Sequence, residues 1–511
     1  MKILRQAHEN WHKIAIISDS QNYTYAQLLT ESRAFAHLLL NGQADLNETR
    51  VAYMVTPGFD YVRVQWGIWQ AGGIIVPLCL TYPLPSLRYT IENSDAGILV
   101  VSPEYADLLR PLASERNMRF IVLGKDDLGL KIQKSPRELK VNPKHTEGGV
   151  PELDDNRRAM ILYTSGTTNL PKGVVTTHGN LNAQISTLID AWEWTEKDHT
   201  ICILPLHHVH GIVNIVSCSL WAGACCEFLP YFSAEGIFEV FKKGTINVFM
   251  AVPTIYFKLI AHWESLSGDE QKELTEMMSQ FRFMVSGSAA LPVSVMEKWE
   301  KISHHTLLER YGMTEIGMGL SNPYGGQRYA GHVGFPLPGV QVRLADEQDN
   351  EIPSAEIGEI QIKGATVFKE YWRKPEATAE SFTKDGWFKT GDIATVDEVK
   401  GYRILGRNSV DIIKSGGYKI SALEIEEVLR TYPSVSDCCV VGIDDDEWGE
   451  LVVAVLISNN ENIDLAELNA WMRTQMPAYK TPRQYKLIAE LPRNAMGKVT
   501  KNDVKKSFFN Q

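Results

Sequence analysis

Short apolar runs alternate along most of this chain with stretches of helical periodicity, and that alternation restricts it to a layered α/β fold. Residues 51–55, 97–101, 159–163 and 200–204 are strand-length and apolar, while 24–39 has the pattern of a helix. Sheets with helices packed over them are expected. At 511 residues the chain is too long for one ordinary core, so it must divide into two or more domains.

Two changes of texture predict where it divides. From 331 to about 399 the sequence turns to short strands with frequent Gly and Pro, as in VGFPLPGVQVRL and GEIQIKG, which predicts a small β-rich subdomain. After GYRILGRNSVDIIKSGGYKIS a helix (422–431), strands (438–442, 452–457) and a further helix (465–475) make up a complete α+β module. The joint is expected at 407–411, separating a large N-terminal domain, 1–407, from a small C-terminal one, 408–511. The stretch 124–156, dense in Lys, Asp, Pro and Gly, reads as a surface loop.

A net charge of -11 and a pI near 5.7 argue against a general nucleic-acid or anionic-membrane surface, since both need a basic face. An anionic substrate must then be met by local cations. The seven cysteines, Cys79, Cys202, Cys218, Cys225, Cys226, Cys438 and Cys439, are odd in number and lack C-x-x-C spacing, so they read as reduced thiols. No apolar run reaches the roughly 18 residues of a membrane span. The opening MKILRQAHENWHK carries His and Glu where a signal peptide has its apolar core, so the expected compartment is the cytoplasm. No feature specifies an oligomeric state.

The strongest chemical feature is ILYTSGTTNLPKGVV, in which a buried-type strand runs into a loop of hydroxyls and Gly and then a lysine. Backbone N–H groups around Gly166 and the hydroxyls of Thr164, Ser165, Thr167 and Thr168 can donate to phosphate oxygens, with Lys172 as a point charge. It is not a Walker A loop, because Pro171 precedes the lysine and Gly173 follows it. A plain Ser/Thr/Gly turn is the alternative on these residues alone.

YTSGTTNLPKG resembles the phosphate loop of the adenylate-forming family, which comprises acyl-CoA synthetases, luciferases and peptide-synthetase adenylation domains. Further motifs of that family follow in order: LPLHHVHG (204–211), SGSAAL (286–291), LLERYGMTE (307–315), GWFKTGD (386–392), GRNSVDIIKSGGYKIS (406–421) and LPRNAMGK (491–498). Asn169 departs from the pattern, standing where the family usually has Gly. The resemblance implies a large N-terminal domain of layered α/β sheets plus the β-rich subdomain, hinged to a small α+β domain that rotates between two half-reactions. It further implies ATP, Mg²⁺ and coenzyme A as reactants, with an acyl-AMP intermediate.

Residue by residue, the resemblance implies the following roles. Glu315, after Thr314, holds magnesium; Asp392 takes the ribose hydroxyls, supported by Arg407. Ser286, Gly287 and Ser288, with Glu309, Tyr311 and Gly312, frame the adenine and the acyl pocket, where Tyr311 is positioned to stack on the base. Lys498 crosses from the small domain to the attacking carboxylate and the α-phosphate. His208 gates the acyl pocket, and Gly416, Gly417, Tyr418 and Lys419 form the face that admits CoA. The cluster His207, His208 and His210 also suggests a metal; however, His208 and His210 read as sharing a strand face with no carboxylate or Cys at ligand spacing.

Arg310 points to the acid. It occupies a position where relatives commonly have glycine, and an arginine at the acyl pocket suits a substrate with a second carboxylate. LLERYGMTEIGM and PLHHVHG resemble malonyl-CoA synthetases in particular, in which Lys258 falls at the place of a second cation. The expected substrate is therefore a small dicarboxylate, malonate before methylmalonate. The alternatives are an ion pair of Arg310 with Glu309 or another acid, a general fatty or aromatic acid:CoA ligase, a carrier-loading adenylation module, and a non-catalytic nucleotide-binding or scaffold protein.

Overall fold

The structure, a computed structural model, describes residues 1–124, 149–164, 170–229, 231–354, 356–460, 463–493 and 499–508. Most of the loop expected at 124–156 lies outside them. The expected strands and helices are present with ends shifted by a residue or two: Arg50–Met54, Ile98–Val101, Arg158–Thr164 and His199–Cys202 are strands, and Tyr25–Leu40 is a helix. That helix starts where Thr24 and Gln27 cap each other reciprocally, side chain to backbone N–H.

Two large sheets form the main body. One has seven strands, with Arg158–Thr164, Ile74–Pro77, Arg50–Met54 and Ile98–Val101 parallel neighbours at its centre. The other has nine, with Cys225–Phe228, His199–Cys202, Val248–Ala251, Phe283–Ser286 and Leu308–Met313 successive and parallel. Period-two alternation explains the layering. Val51 and Tyr53 point into the central core between the sheets, and Ala52 and Met54 into an outer core under helices. Val248 and Met250 likewise face the centre, while Phe249 and Ala251 face a second outer core. Both faces of each strand are covered, which is why these segments read as continuous apolar runs.

The β-rich segment is a four-stranded antiparallel sheet, Val340–Ala345, Gly358–Gly364, Phe388–Asp397 and Gly401–Arg407. Its Leu344, Ile360, Ile362 and Phe388 join the central core. After residue 411 the chain builds a separate five-stranded sheet with cores of its own. Cys438 and Cys439 sit there on opposite faces as buried apolar side chains, and all seven cysteines are free thiols. Among the described residues no helix is long and apolar enough to cross a membrane.

The parallel strands of the nine-stranded sheet start from a clamp. Arg282, ahead of Phe283–Ser286, donates from Nε and Nη2 to the two carboxylate oxygens of Asp198 at 2.7 and 2.9 Å, ahead of His199–Cys202. Asn247, ahead of Val248–Ala251, donates to the same carboxylate at 3.1 Å. With the starting ends aligned in this way, the finishing ends are aligned too, and there the sequence motifs gather. Arg282→Ala leaves a buried carboxylate short of its cation, and should lower unfolding free energy by about 3–5 kcal/mol in denaturant titration.

Candidate active site

Both ends of the phosphate loop are fixed by pairing. Thr164 and Lys172 are opposite partners on antiparallel strands, and the Thr164 hydroxyl donates to the Lys172 carbonyl at 3.5 Å. Ser165, Gly166, Thr167, Thr168 and Asn169 lie outside the described residues. The Lys172 ammonium lies 4.8 Å from the centre of the Tyr371 ring. Tyr371 comes from a two-residue strand, Glu370–Tyr371, that pairs with Lys172–Thr177.

Tyr371 also donates to Glu315 Oε1 at 2.9 Å. Glu315 sits in the turn between Leu308–Met313 and Gly317–Ser321, where Gly317 has φ +66° and a Cβ would strike Gln184. Burial pushes the Glu315 carboxyl upward, against the pull of Tyr371, Arg407 and Lys172. A buried carboxyl with one hydrogen-bond donor and a lysine nearby suits a magnesium ion that takes its other ligands from phosphates and water. Among the described residues no cluster of three His, Cys, Asp or Glu side chains is placed to hold a metal by itself.

Asp392 organises the next part. It faces Arg407 across an antiparallel pair, and Arg407 Nε donates to its Oδ1 at 3.0 Å. Tyr311 donates its hydroxyl to Oδ2 at 2.5 Å. Burial and this carboxylate together raise the tyrosine's pKa far above its ordinary value. Tyr311, expected only to stack on a base, therefore also ties the nine-stranded sheet to the four-stranded one. Beside this group lies an open cleft of about 440 Å³ lined by Thr390, Gly391, Arg407, Asn408, Ser409 and Lys414.

The residues expected to frame the acyl pocket are assembled on the ends of Phe283–Ser286 and Leu308–Met313. Arg310 is 4% exposed and lies across Gly287, where a Cβ would sit 2.5 Å from the guanidinium carbon. Only glycine permits that approach. Ser288, at φ +72°, holds its hydroxyl 3.4 Å from Arg310 Nη2 and 3.1 Å from His210 Nδ1. The ion pair considered for Arg310 and Glu309 is not formed: adjacent strand residues face opposite ways, and Glu309 instead accepts the Leu291 N–H at 3.1 Å. Among the described residues Arg310 Nε has no hydrogen-bond partner. Burial lowers the guanidinium to about 9, so it is charged at neutral pH, and raises the Glu309 carboxyl to about 8.

His208 and His210 do not share the expected strand face. His207 and His208 lie in a turn with ring centres 4.0 Å apart, and His210 opens a π-helix, His210–Ser217. A five-residue hydrogen-bond period has no pattern that the sequence reading tested for. Burial lowers His207 to about 4, and burial with Arg310 close by keeps His210 neutral. Lys258 is exposed, its ammonium 5.3 Å from the Phe232 ring centre, and no hydrogen bond or ion pair among the described residues joins it to Arg310.

At the other end of the chain, Gly416 and Gly417 make a two-residue hairpin turn with φ +56° and +81°. Among the described residues nothing lies within 4 Å of a Cβ at Gly417, whereas one at Gly416 would meet Trp448. Tyr418 is exposed and stacks on Tyr479, and Lys419 Nζ is 2.7 Å from Glu347 Oε1 in the β-rich segment. Lys498 lies outside the described residues. Gly312 packs against the Gly317 carbonyl, where a side chain has no room, while Thr314 begins the Glu315 turn. Sequence reading missed Tyr371, whose two-residue strand is too short to carry a periodicity signal.

Glu309 gives the fold a pH dependence of known sign. In the unfolded chain it loses its proton near about 4.3, whereas in the folded protein it keeps it to about 8. Folding between those values takes up a proton, so this contribution to stability is full below about 4.3, is lost as pH rises to about 8, and levels off above. Glu309→Gln retains an acceptor for Leu291. Unfolding free energies of wild type and variant should diverge across that window, with the wild type falling.

Two family descriptions cover the chain. Residues 3–372 match the AMP-binding enzyme family and 424–498 the AMP-binding enzyme C-terminal domain. Malonate–CoA ligase, mitochondrial, of Xenopus laevis is 40% identical, covering 98% of this chain and 90% of that protein. Crystal structures of MatB from Rhodopseudomonas palustris, 32% identical, cover 99% of this chain and 98% of theirs. The TM-score is 0.88 for the ATP-bound form and 0.80 for the apo form. With both of its parts matched in order around the cleft just described, this chain belongs to the AMP-binding enzyme family.

Proposed function

We propose that this enzyme is an AMP-forming acid:CoA ligase that joins malonate to coenzyme A, giving malonyl-CoA, AMP and diphosphate by way of malonyl-AMP. The observation that carries the choice of acid is Arg310: a charged, buried guanidinium whose Nε is unpaired and which, among the described residues, is met by the Ser288 hydroxyl alone. A second substrate carboxylate supplies what that cation lacks, and the neutral chain of a fatty acid does not. The 40% identical malonate–CoA ligase supports the same acid.

In the first half-reaction one malonate carboxylate attacks the α-phosphorus of ATP, an O–P bond forms, and diphosphate leaves. Lys172 and the hydroxyls of residues 164–168 hold the phosphates, Asp392 and Arg407 the ribose, and the 286–288 and 309–314 segments the adenine. Magnesium, when bound at Glu315, neutralises phosphate charge. Lys498 stabilises the charge that builds on the attacking and α-phosphate oxygens. In the second half-reaction the CoA thiol attacks the malonyl carbonyl and AMP leaves, with CoA entering along Gly416–Lys419. The two steps need different groups at one place, so we place a pivot at 408–411 between domains 1–407 and 408–511. Separate sheets and cores on either side of that stretch support the division. We assign the enzyme to the cytoplasm, a reducing compartment that suits seven free thiols.

Diphosphate release across acetate, butyrate, malonate, methylmalonate and succinate, with and without CoA, tests the acid. Arg310→Ala should weaken malonate transition-state binding by about 2–5 kcal/mol and affect acetate far less. Equal losses on both acids would make Arg310 a structural residue. Lys498→Ala should cut malonate-dependent diphosphate release by about 10²–10³, while supplied malonyl-AMP still reacts with CoA within about tenfold of wild type. Equal impairment of both steps would remove the rotating lysine from the mechanism.

A further inference from the structure

One buried ionic group takes no part in the chemistry above. Lys501, in the last helix, is 8% exposed and has its ammonium 2.8 Å from Asp411 Oδ1 and 2.8 Å from Glu426 Oε1. Glu426 is anchored inside the small domain by the Val440 N–H at 2.9 Å and by Arg430 at 3.4 Å. Asp411 is different, because its two oxygens serve two bodies. Oδ1 meets Lys501, whereas Oδ2 accepts the backbone N–H of Arg407 at 3.0 Å. Arg407 is the residue whose side chain holds Asp392.

The joint is thereby closed as a small ring. The Asp411 N–H returns to the Arg407 carbonyl at 2.8 Å, and the Asn408 N–H donates to the Gly391 carbonyl at 2.8 Å. Gly406, at φ +129°, lets the Asp411 side chain fold back, since a Cβ there would come within 2.4 Å of it. Any turn of the small domain about 408–411 must break the contact between Asp411 and the Arg407 N–H. The carboxylate cannot follow Arg407, because Lys501 and Glu426 keep it with the small domain. The arrangement in which this ring is closed is nearer to ATP-bound MatB than to apo MatB, 0.88 against 0.80 at equal identity and coverage.

We propose that Asp411, held by the buried Lys501, is a positioning residue that latches the joint in the arrangement for acid activation and must let go of Arg407 before CoA can react. The half-reaction arm of its test rests on the proposed ligase activity; the distance arm does not. Both partners of the Asp411 carboxylate are donors. Asparagine, of the same shape, offers a single acceptor and sets its NH₂ against one of them. Lys501 keeps Glu426, so the small-domain core retains a paired charge.

Asp411→Asn should lower malonate-dependent diphosphate release about tenfold or more, the equilibrium weight of a hydrogen bond to a charged group. Conversion of supplied malonyl-AMP and CoA should stay within about threefold. Energy transfer between dyes at the exposed positions 384 and 475, with ATP and magnesium and no acid, should change on substitution. An unchanged transfer efficiency, or an equal fall in both half-reactions, overturns the latch. If wild type releases no diphosphate with any acid, the ligase proposal fails while the transfer measurement still decides the latch. Should Asp411→Asn not fold, Lys501→Met combined with Glu426→Gln frees Asp411 without leaving a second bare carboxylate, and must show the same split.

Discussion

Three parts of the chain meet at the carboxylate of Asp392. Its strand belongs to the antiparallel β-rich sheet, its cation Arg407 ends the next strand, and its tyrosine Tyr311 comes from the nine-stranded sheet. A carboxylate that is 7% exposed needs such donors in place of water. Because each donor is supplied by a different element, satisfying this one charge sets the relative position of three pieces of backbone. The cleft opens beside it.

The acyl side is organised by the opposite condition, a buried cation left incompletely paired. Arg310 has Ser288 for a neighbour and neutral His210 beyond it, while the adjacent Glu309 faces away and keeps its proton to about 8. A protein gains no stability from such an arrangement, since removing a guanidinium from water costs several kcal/mol unless a partner offsets it. It is consistent with a site built to take an anion, and the glycine at 287 and the left-handed backbone at Ser288 are the local concessions that keep room for it.

The two halves of the proposed reaction make competing demands on the same space, and the C-terminal sheet has cores separate from the central one, as the proposed pivot requires. Independence alone permits any orientation. Among the described residues, the contacts that select one include Lys419 with Glu347, Arg403 with Glu427, Ser421 with the Leu405 carbonyl, and Asp411 with Arg407. Of these only the last joins a buried ion pair to the residue that holds Asp392.

Much of this was legible in the residues. The apolar runs at 51–55 and 159–163 read as strands, the Gly- and Pro-rich texture of 331–399 read as a β-rich segment, and the net charge argued against nucleic-acid and anionic-membrane surfaces. Motif order identified the family and the side chains to watch. What the residues could not specify was which of those side chains face one another. Glu309 beside Arg310 suggested an ion pair until the strand turned them to opposite faces. His208 and His210 suggested one strand face, but a π-helix begins at His210. Tyr371, in a strand of two residues, acquired its contact with Glu315 solely from pairing beside Lys172–Thr177. Local pattern is set by the spacing of apolar and polar groups along the chain, and that spacing determined the elements and the chemistry available to them. Which charges are paired, and which is left waiting for a ligand, depends on contacts between residues tens to hundreds of positions apart, and only the folded packing of the sheets decided it.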